Sequence, residues 1–164
     1  MSESRALYEQ VILDHNRNPR NFKKLPDASK SVEGFNPLCG DHFTVHVKMD
    51  GETISDITFE GSGCAISKSS ASVMTTVLKG KTRAEAERLF HCFHSMITGR
   101  PDAPIDEDGL GKLKVFSGVR EFPVRIKCAT LAWHAIHNAL AGEADTVSTE
   151  EISEHDTGES RSSL

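Results

Sequence analysis

One stretch of the chain, residues 43–59, constrains the fold more than any other. From Phe43 to Met49 apolar and polar residues alternate strictly, which places them on opposite faces of a strand with one buried face. Asp50-Gly51 is a typical hairpin turn, and Ile54 to Phe59 supplies the returning strand. The stretch therefore predicts a half-buried antiparallel pair of strands.

Helical patterns surround this pair. A helix is predicted over 6–17 and ends at Asn18-Pro19, because a residue before proline avoids the helical region. The remaining elements follow from apolar spacing and from breaks at glycine and proline: a short strand over 31–35 and helices from Cys64 to about Gly80, over 83–98, around 110–119 and from near Cys128 to about Leu140. This order predicts an α+β fold, in which a small antiparallel sheet of about three strands packs against several helices.

Residues 141–164 differ in composition from the rest of the chain. They hold seven acidic residues against Arg161 and no aromatic residue. Such a segment buries too little apolar surface to order itself. We therefore expect one domain over 1–140 and an acidic disordered tail over 141–164. Because the domain is then close to neutral and lacks a dense basic stripe, nucleic acid is not an expected partner.

The start of the chain and its cysteines bear on the cellular compartment. Residues 1–10 have neither a basic start nor an apolar run, so no signal peptide is expected, and no stretch reaches the length of a membrane span. We expect a cytoplasmic protein without membrane association. In that compartment cysteines are expected to be free, metal-bound or catalytic rather than disulfide-bonded.

Three of the four cysteines lie where one predicted element gives way to the next. Cys39 follows the first strand, Cys64 follows the sheet, and Cys128 stands at the predicted start of the last helix. Such turns can converge at one end of a small sheet, and Asp41 can project beside Cys39 because Gly40 lets the backbone bend between them. Three thiolates and one carboxylate complete a tetrahedral set for zinc.

The predicted helix starts favour this metal site. Free N–H groups and positive dipole ends at Cys64 and Cys128 would stabilise thiolates, and Arg125 and Lys127 could add positive charge. The alternative is that Cys64 and Cys128 are buried apolar cysteines. Since there are no close C-x-x-C pairs, the spacing alone leaves both alternatives open.

Other polar residues give weaker signals. His91 and His94 are neighbours on a helix face, but no further ligand accompanies them, so packing beside a buried Cys92 is favoured over a second metal site. The same holds for His134 and His137. His42, on the polar face of a strand next to the Cys39 loop, could belong to a docking surface. Serines that follow Cys64 lack a paired His/Asp motif and are expected to allow close helix packing: Ser67, Ser69, Ser70 and Ser72.

Four segments of the chain carry a family resemblance. N-P-L-C-G-D at 36–41, G-S-G-C-A-I-S at 61–67 and R-I-K-C-A-T-L-A-W-H at 125–134 resemble the three motifs of the U-type iron–sulfur cluster assembly proteins, the IscU/NifU-N family. The opening L-Y-E-Q-V-I-L-D-H-N-R-N-P-R-N at 7–21 is also similar, so the resemblance spans about residues 5–140.

Within that family the chain is most similar to the SufU branch. Lys127 precedes Cys128 at a position where the IscU scaffold branch carries histidine. The stretch between Cys64 and Cys128 is also longer than is usual in the scaffold branch.

The resemblance implies a zinc-dependent sulfurtransferase. Such a protein accepts persulfide sulfur from a pyridoxal-phosphate cysteine desulfurase of the SufS type and passes it to a downstream cluster-assembly scaffold. The implied acceptor is Cys39, freed when a histidine of the docked desulfurase replaces one zinc ligand, and Arg125 is a candidate for stabilising the charged sulfur. The implied zinc ligands are Cys39, Asp41, Cys64 and Cys128.

Two other functions remain as alternatives. The chain could be a non-catalytic scaffold that assembles an iron–sulfur cluster on the same cysteines, or a purely structural zinc module. Lys127 and the long middle segment argue against the scaffold. Asp41 argues against a structural zinc site, which usually has only Cys and His ligands.

Overall fold

Four strands form a single sheet in the computed structural model, which describes residues 3–100, 104, 107–142 and 146–148. Their order in the sheet is β3-β2-β1-β4. The first three pair in antiparallel fashion, as predicted, whereas β4 lies parallel to β1. The strands are β1 (Lys30–Asn36), β2 (Asp41–Asp50), β3 (Thr53–Ser62) and β4 (Thr146–Ser148).

Helices cover the sheet and complete the α+β fold that the sequence predicts. α5 packs against β1 and β2, α2 packs against α5 and β3, and α1 packs against α2. In the described parts of the chain, none of the helices combines the length and apolar character of a membrane span. The helical elements are α1 (Glu3–Arg17), α2 (Ala65–Leu78), α3 (Arg83–Thr98), α4 (Glu107–Leu110), a 3-10 segment (Gly111–Glu121) and α5 (Pro123–Ala141).

The alternation in β2 turns one face of the sheet into the core. Phe43, Val45 and Val47 are each at most 1% exposed, while Thr44 and His46 between them are half-buried. Met49, the fourth member of the predicted apolar face, is only partly buried, because the register of β2 against β3 shifts between Lys48 and Met49. The prediction therefore holds up to this irregularity in the sheet.

The last helix begins earlier than predicted. α5 starts at Pro123, so Cys128 lies inside the helix rather than at its first residue. Phe122-Pro123 resembles a break in the sequence, but proline is favoured at the first helical position, where its missing N–H would have no intrahelical partner anyway. The predicted exposure of Cys128 to a helix N-terminus is therefore wrong.

Part of the segment predicted as a tail joins the sheet. Thr146–Ser148 pairs in parallel with Glu33–Phe35 of β1. These three residues are thus an edge strand of the sheet and not a disordered appendage. Residues 143–145 and 149–164 lie outside the described residues, and for them the division into a domain and a tail stays a prediction.

Candidate metal centre

The predicted ligands gather where the turn between β1 and β2 meets α2 and α5. One ligand atom each from Cys39, Asp41 and Cys128 can be chosen so that all three lie within 4.8 Å of one another. The sulfur atoms of Cys39 and Cys128 are 3.3 Å apart. Cys39 is exposed, whereas Asp41 and Cys128 are each 2% exposed. The arrangement is a buried donor set with one sulfur at the surface.

The turn before β2 brings Cys39 and Asp41 to the same place. The amides of Cys39 and Gly40 both donate to the Asn36 carbonyl, at 3.2 and 2.8 Å. Gly40 has a φ of +74°, a left-handed conformation that glycine adopts without steric cost. The bend predicted at Gly40 is therefore present, and the chain enters β2 directly at Asp41.

Cys64 is the N-cap residue of α2, as its predicted position at a helix start requires. Its sulfur accepts a hydrogen bond from the Ser67 amide at 3.4 Å, and its own amide donates to Asp41 Oδ1 at 2.8 Å. The Cys64 sulfur lies 3.9 Å from Asp41 Oδ2, although Cys64 falls outside the group within 4.8 Å. Of the four predicted ligands, three thus converge and the fourth borders them.

Two polar residues that sequence reasoning did not assign to the site complete its interior. The Ser67 hydroxyl donates to Asp41 Oδ2 at 2.5 Å and lies 3.1 Å from the Cys128 carbonyl oxygen. The Asn36 side-chain amide lies 3.3 Å from both Asp41 Oδ2 and the Cys128 sulfur. Both residues are almost fully buried. The one sequence feature that could have indicated them is their closeness to the predicted ligands: Asn36 lies three residues before Cys39, and Ser67 lies three residues after Cys64.

The two inner thiols differ in acidity. Hydrogen bonding from Cys128 lowers the pKa of Cys64 to about 6; the Ser67 amide and hydroxyl act in the same direction, and burial opposes them. The pKa of Cys128 is raised, first by its hydrogen bond to Cys64 and then by burial. Of these two thiols, Cys64 is therefore the first to lose its proton, and its thiolate lies at the N-terminus of α2.

Arg125 lies on the first turn of α5, three residues before Cys128 in the sequence. Its guanidinium lies 4.9 Å from the centre of the Phe122 ring and is exposed at the first turn of α5. It also lies close enough to Tyr8 to oppose the rise in the pKa of that phenol, which burial causes. The structure thus places Arg125 beside Phe122 and Tyr8, with its side chain exposed.

The histidines of α3 and α5 pack around one aromatic ring, that of Phe90. The Phe90 ring stacks on His137 with centroids 4.6 Å apart and also contacts the rings of His94 and His134. His137 Nδ1 is bonded to Glu87 Oε1 at 2.9 Å. Within the described ranges, the Cys39 group is the one convergent set of metal-binding side chains. The packing that the sequence predicts for these histidines is therefore present.

The remaining predicted polar residues also find local partners. Ser70 donates to the Ala129 carbonyl oxygen at 2.6 Å, which ties α2 to α5 as close helix packing requires. Ser72 bonds to His15 at 2.7 Å and joins α1 to α2. His42 is exposed beside the Cys39 turn, stacks on Phe35 and lies 3.1 Å from Glu33.

The chemistry of the donor set fits zinc. Thiolate sulfur and carboxylate oxygen are both common zinc donors, and four of them satisfy its tetrahedral preference. The convergence of Cys39, Asp41 and Cys128, with Cys64 beside them, supplies those four groups. A set of three thiols and one carboxylate is poorly suited to calcium or magnesium, which take oxygen ligands.

Comparison with known proteins identifies the family of the chain. Residues 7–129 match the family described as NifU-like N terminal domain. The chain is 46% identical over 139 residues to the zinc-dependent sulfurtransferase SufU of Bacillus subtilis, covering 84% of this chain and 92% of that protein. It is 39% identical over 145 residues to the iron–sulfur cluster assembly scaffold protein IscU of Streptococcus pyogenes, covering 88% and 89%.

A solved structure gives the same fold. It is a proposed iron–sulfur cluster assembly scaffold protein for the SUF system from Fervidobacterium islandicum, with a TM-score of 0.76 and 36% identity. The match covers 84% of this chain and 98% of that one. The family match spans the turn at Cys39, the start of α2 and Cys128. The chain therefore belongs to the NifU-like N-terminal domain family, which includes SufU-like and IscU-like proteins.

Proposed function

We propose that this chain is a zinc-dependent sulfurtransferase of iron–sulfur cluster assembly, in which Cys39 accepts sulfur from a cysteine desulfurase. The observation that carries the proposal is the asymmetry of the site: the Cys39 thiol is exposed, yet its sulfur is 3.3 Å from that of the buried Cys128. One accessible sulfur on a buried donor set suits a group that must meet a partner protein.

In this function Cys39, Asp41, Cys64 and Cys128 hold zinc. Bound zinc would keep the coordinating thiols deprotonated at neutral pH and limit their oxidation until one is released. Asp41 and Cys128 are buried and would anchor the ion, while Cys39 sits on a turn at the surface. Arg125, exposed on α5 three residues before Cys128, would stabilise the negative charge of the incoming sulfur.

The transfer step is an exchange at sulfur. The Cys39 thiolate attacks the terminal sulfur of the desulfurase persulfide, forming a new S–S bond, while the bond between that sulfur and the desulfurase cysteine breaks. The desulfurase cysteine leaves as a thiolate, and Cys39 becomes the persulfide. No external oxidant or reductant is needed. The persulfide sulfur is then available to a downstream cluster-assembly scaffold.

The alternative is a scaffold that builds an iron–sulfur cluster on the same residues. The similarity to a protein named as a scaffold favours it, since the identity of 39% extends over 88% of this chain. The higher identity to a protein named as a zinc-dependent sulfurtransferase, together with Lys127 before Cys128, favours sulfur transfer. Four cysteines without a disulfide among them agree with a place in the reducing cytoplasm for either function.

The test combines metal analysis with a desulfurase assay on the same sample. The purified chain should carry about one zinc per molecule, as a single four-ligand site requires, and be colourless. Cys39→Ala should abolish both its stimulation of a SufS-type desulfurase and its own persulfide. Cys92→Ala, which removes a thiol on α3 away from the site, is the matched control and should keep full stimulation.

Two outcomes would contradict the proposal. Undiminished stimulation by Cys39→Ala would exclude Cys39 as the sulfur acceptor. A brown, iron-containing preparation that does not stimulate a desulfurase would favour the scaffold instead.

A further inference from the structure

We propose that Asn36 and Ser67 are positioning residues that clamp Asp41 in one orientation as a fixed ligand of the metal site. The inference rests on the proposed function for its zinc ion, but not on the sulfur-transfer step. The two residues come from different elements, β1 and α2, and meet at the same carboxylate oxygen. Together the side chains of Asn36 and Ser67 form the clamp.

Both oxygens of Asp41 are engaged by the protein. Oδ1 accepts the Cys64 amide at 2.8 Å, and Oδ2 accepts the Ser67 hydroxyl at 2.5 Å and the Asn36 amide at 3.3 Å. The Cys64 sulfur is also 3.9 Å from Oδ2, but it would donate no hydrogen bond as a zinc-bound thiolate. A carboxylate has about four acceptor positions, so the other three hydrogen bonds leave one for a metal ion. These contacts therefore suit a carboxylate that binds through one oxygen without turning.

Burial makes the clamp costly to open. Asn36, Asp41 and Ser67 are 1%, 2% and 2% exposed, so water cannot readily replace the hydrogen bonds among them. A buried carboxylate that loses such partners is strongly destabilised. Rotation of Asp41 away from the site would break these contacts together, whereas Cys39 lies exposed on a turn.

The clamp also reaches the other buried ligand. The Asn36 amide group has two hydrogens, and its nitrogen is 3.3 Å from both Asp41 Oδ2 and the Cys128 sulfur. Ser67 lies 3.1 Å from the Cys128 carbonyl oxygen. The clamp thus ties Asp41 and Cys128 into one rigid unit. When a ligand must leave for sulfur transfer, this unit stays and Cys39 is the group free to go.

The test measures zinc affinity by competition with a chromophoric chelator. Ser67→Ala removes the shortest contact of the clamp, and we expect zinc affinity to fall about 10- to 100-fold, as is typical when the partner of a metal ligand is lost. Ser70→Ala is the matched control, because Ser70 is an equally buried serine of α2 that donates to Ala129 instead. It should keep the wild-type affinity. Asn36→Ala removes the other half of the clamp, and the same loss of zinc affinity is expected in it. It therefore tests the clamp even if Ser67→Ala fails to fold.

A second measurement separates positioning from a general loss of structure. Cobalt(II) can be bound in place of zinc, and its visible absorption spectrum depends on the geometry of its ligands. In the clamp variants that spectrum should shift toward the spectrum of Asp41→Ala, while Ser70→Ala should retain the wild-type spectrum.

The outcomes separate the clamp from the proposed function. Wild-type zinc affinity and an unshifted cobalt spectrum in Ser67→Ala and Asn36→Ala would overturn the clamp alone. A wild-type chain that binds no zinc would overturn both proposals. A chain that binds zinc, loses affinity in the clamp variants and yet fails to stimulate a desulfurase would support the clamp and overturn sulfur transfer.

Discussion

Single residues decide how closely the parts of the site approach one another, and Gly63 lies at one such close approach, against Asp41. A side-chain carbon added at Gly63 would lie 2.6 Å from Asp41 Oδ1 and 2.7 Å from the Phe43 ring. Real side chains do not approach so closely. The absence of a side chain at Gly63 is therefore what lets the Asp41 carboxylate reach the amide of Cys64.

Gly63→Ala is thus expected to damage both the fold and the site. Overpacking of this kind usually costs about 1–3 kcal/mol of unfolding free energy, and zinc affinity should fall because Asp41 must move. Urea unfolding and chelator competition measure the two effects. Gly118→Ala is the matched control: its added carbon would meet only Tyr8, at 3.8 Å or more, so stability should change little. Equal effects of the two substitutions would contradict the close approach.

The sequence points to candidate ligands of the metal site but not to the residues that position them. Their positions at element boundaries left a metal site and buried apolar cysteines both open, and the family resemblance singled out four ligands: Cys39, Asp41, Cys64 and Cys128. The sequence predicts for Ser67 the same helix packing as for Ser70, and Ser67 does lie 3.1 Å from the Cys128 carbonyl oxygen of α5. Its hydroxyl nevertheless donates to Asp41, which only the tertiary fold brings beside α2. A contact between side chains far apart in sequence depends on the tertiary fold, so local pattern cannot reveal it.

A helix or strand is predicted correctly where the neighbouring sequence marks both its apolar face and its ends, as in α3. The helix spans Arg83–Thr98 as predicted, and its start is fixed by a capping box. The Thr82 hydroxyl accepts the Glu85 amide at 3.1 Å, and the Glu85 carboxylate accepts the Thr82 amide at 2.9 Å. These two hydrogen bonds provide partners for two backbone N–H groups that have none within the helix.

Thr82→Ala should therefore lower the unfolding free energy by about 1 kcal/mol, the usual cost of losing such a cap. Thr82→Ser, which keeps the hydroxyl, is the control and should lose much less. Chemical denaturation followed by circular dichroism measures both. Since α3 lies away from the Cys39 turn, zinc affinity should stay the same in both variants. A loss as large in Thr82→Ser as in Thr82→Ala would show that the hydroxyl does not act as the cap.

The elements that were mispredicted had ambiguous or non-local signals. Phe122-Pro123 suits either the end of one segment or the first turn of the next, and here it opens α5. Thr146–Ser148 has only three residues in an acidic stretch, and its strand exists because β1 offers an unpaired edge. Pairing between strands so distant in sequence leaves no local pattern to detect.

At the scale of the whole molecule, the site and the outer edge of the sheet share the strand β1. The sheet orders its strands β3-β2-β1-β4, and the Cys39 turn joins β1 to β2 in its middle. β4 covers the free side of β1 along Glu33–Phe35, next to Asn36 of the clamp. One stretch of the acidic segment after α5, the strand β4, therefore belongs to the domain. The prediction of a separate appendage now applies to residues 149–164.

Two truncations test this division. A chain ending at Ser148 should unfold at the same temperature as the full chain, because only the predicted appendage is removed. A chain ending at Gly142 also loses β4 and leaves the β1 edge without its hydrogen-bond partners. A loss of about 1 kcal/mol would lower the melting temperature of a chain of this size by about 2–4 °C.

Zinc affinity should fall slightly in the chain that ends at Gly142 and stay unchanged in the chain that ends at Ser148, because the β1 edge that loses its partner continues into Asn36. If removal of 149–164 lowered the melting temperature as much as removal of 143–164, the appendage would be part of the folded domain, and its boundary at β4 would be wrong.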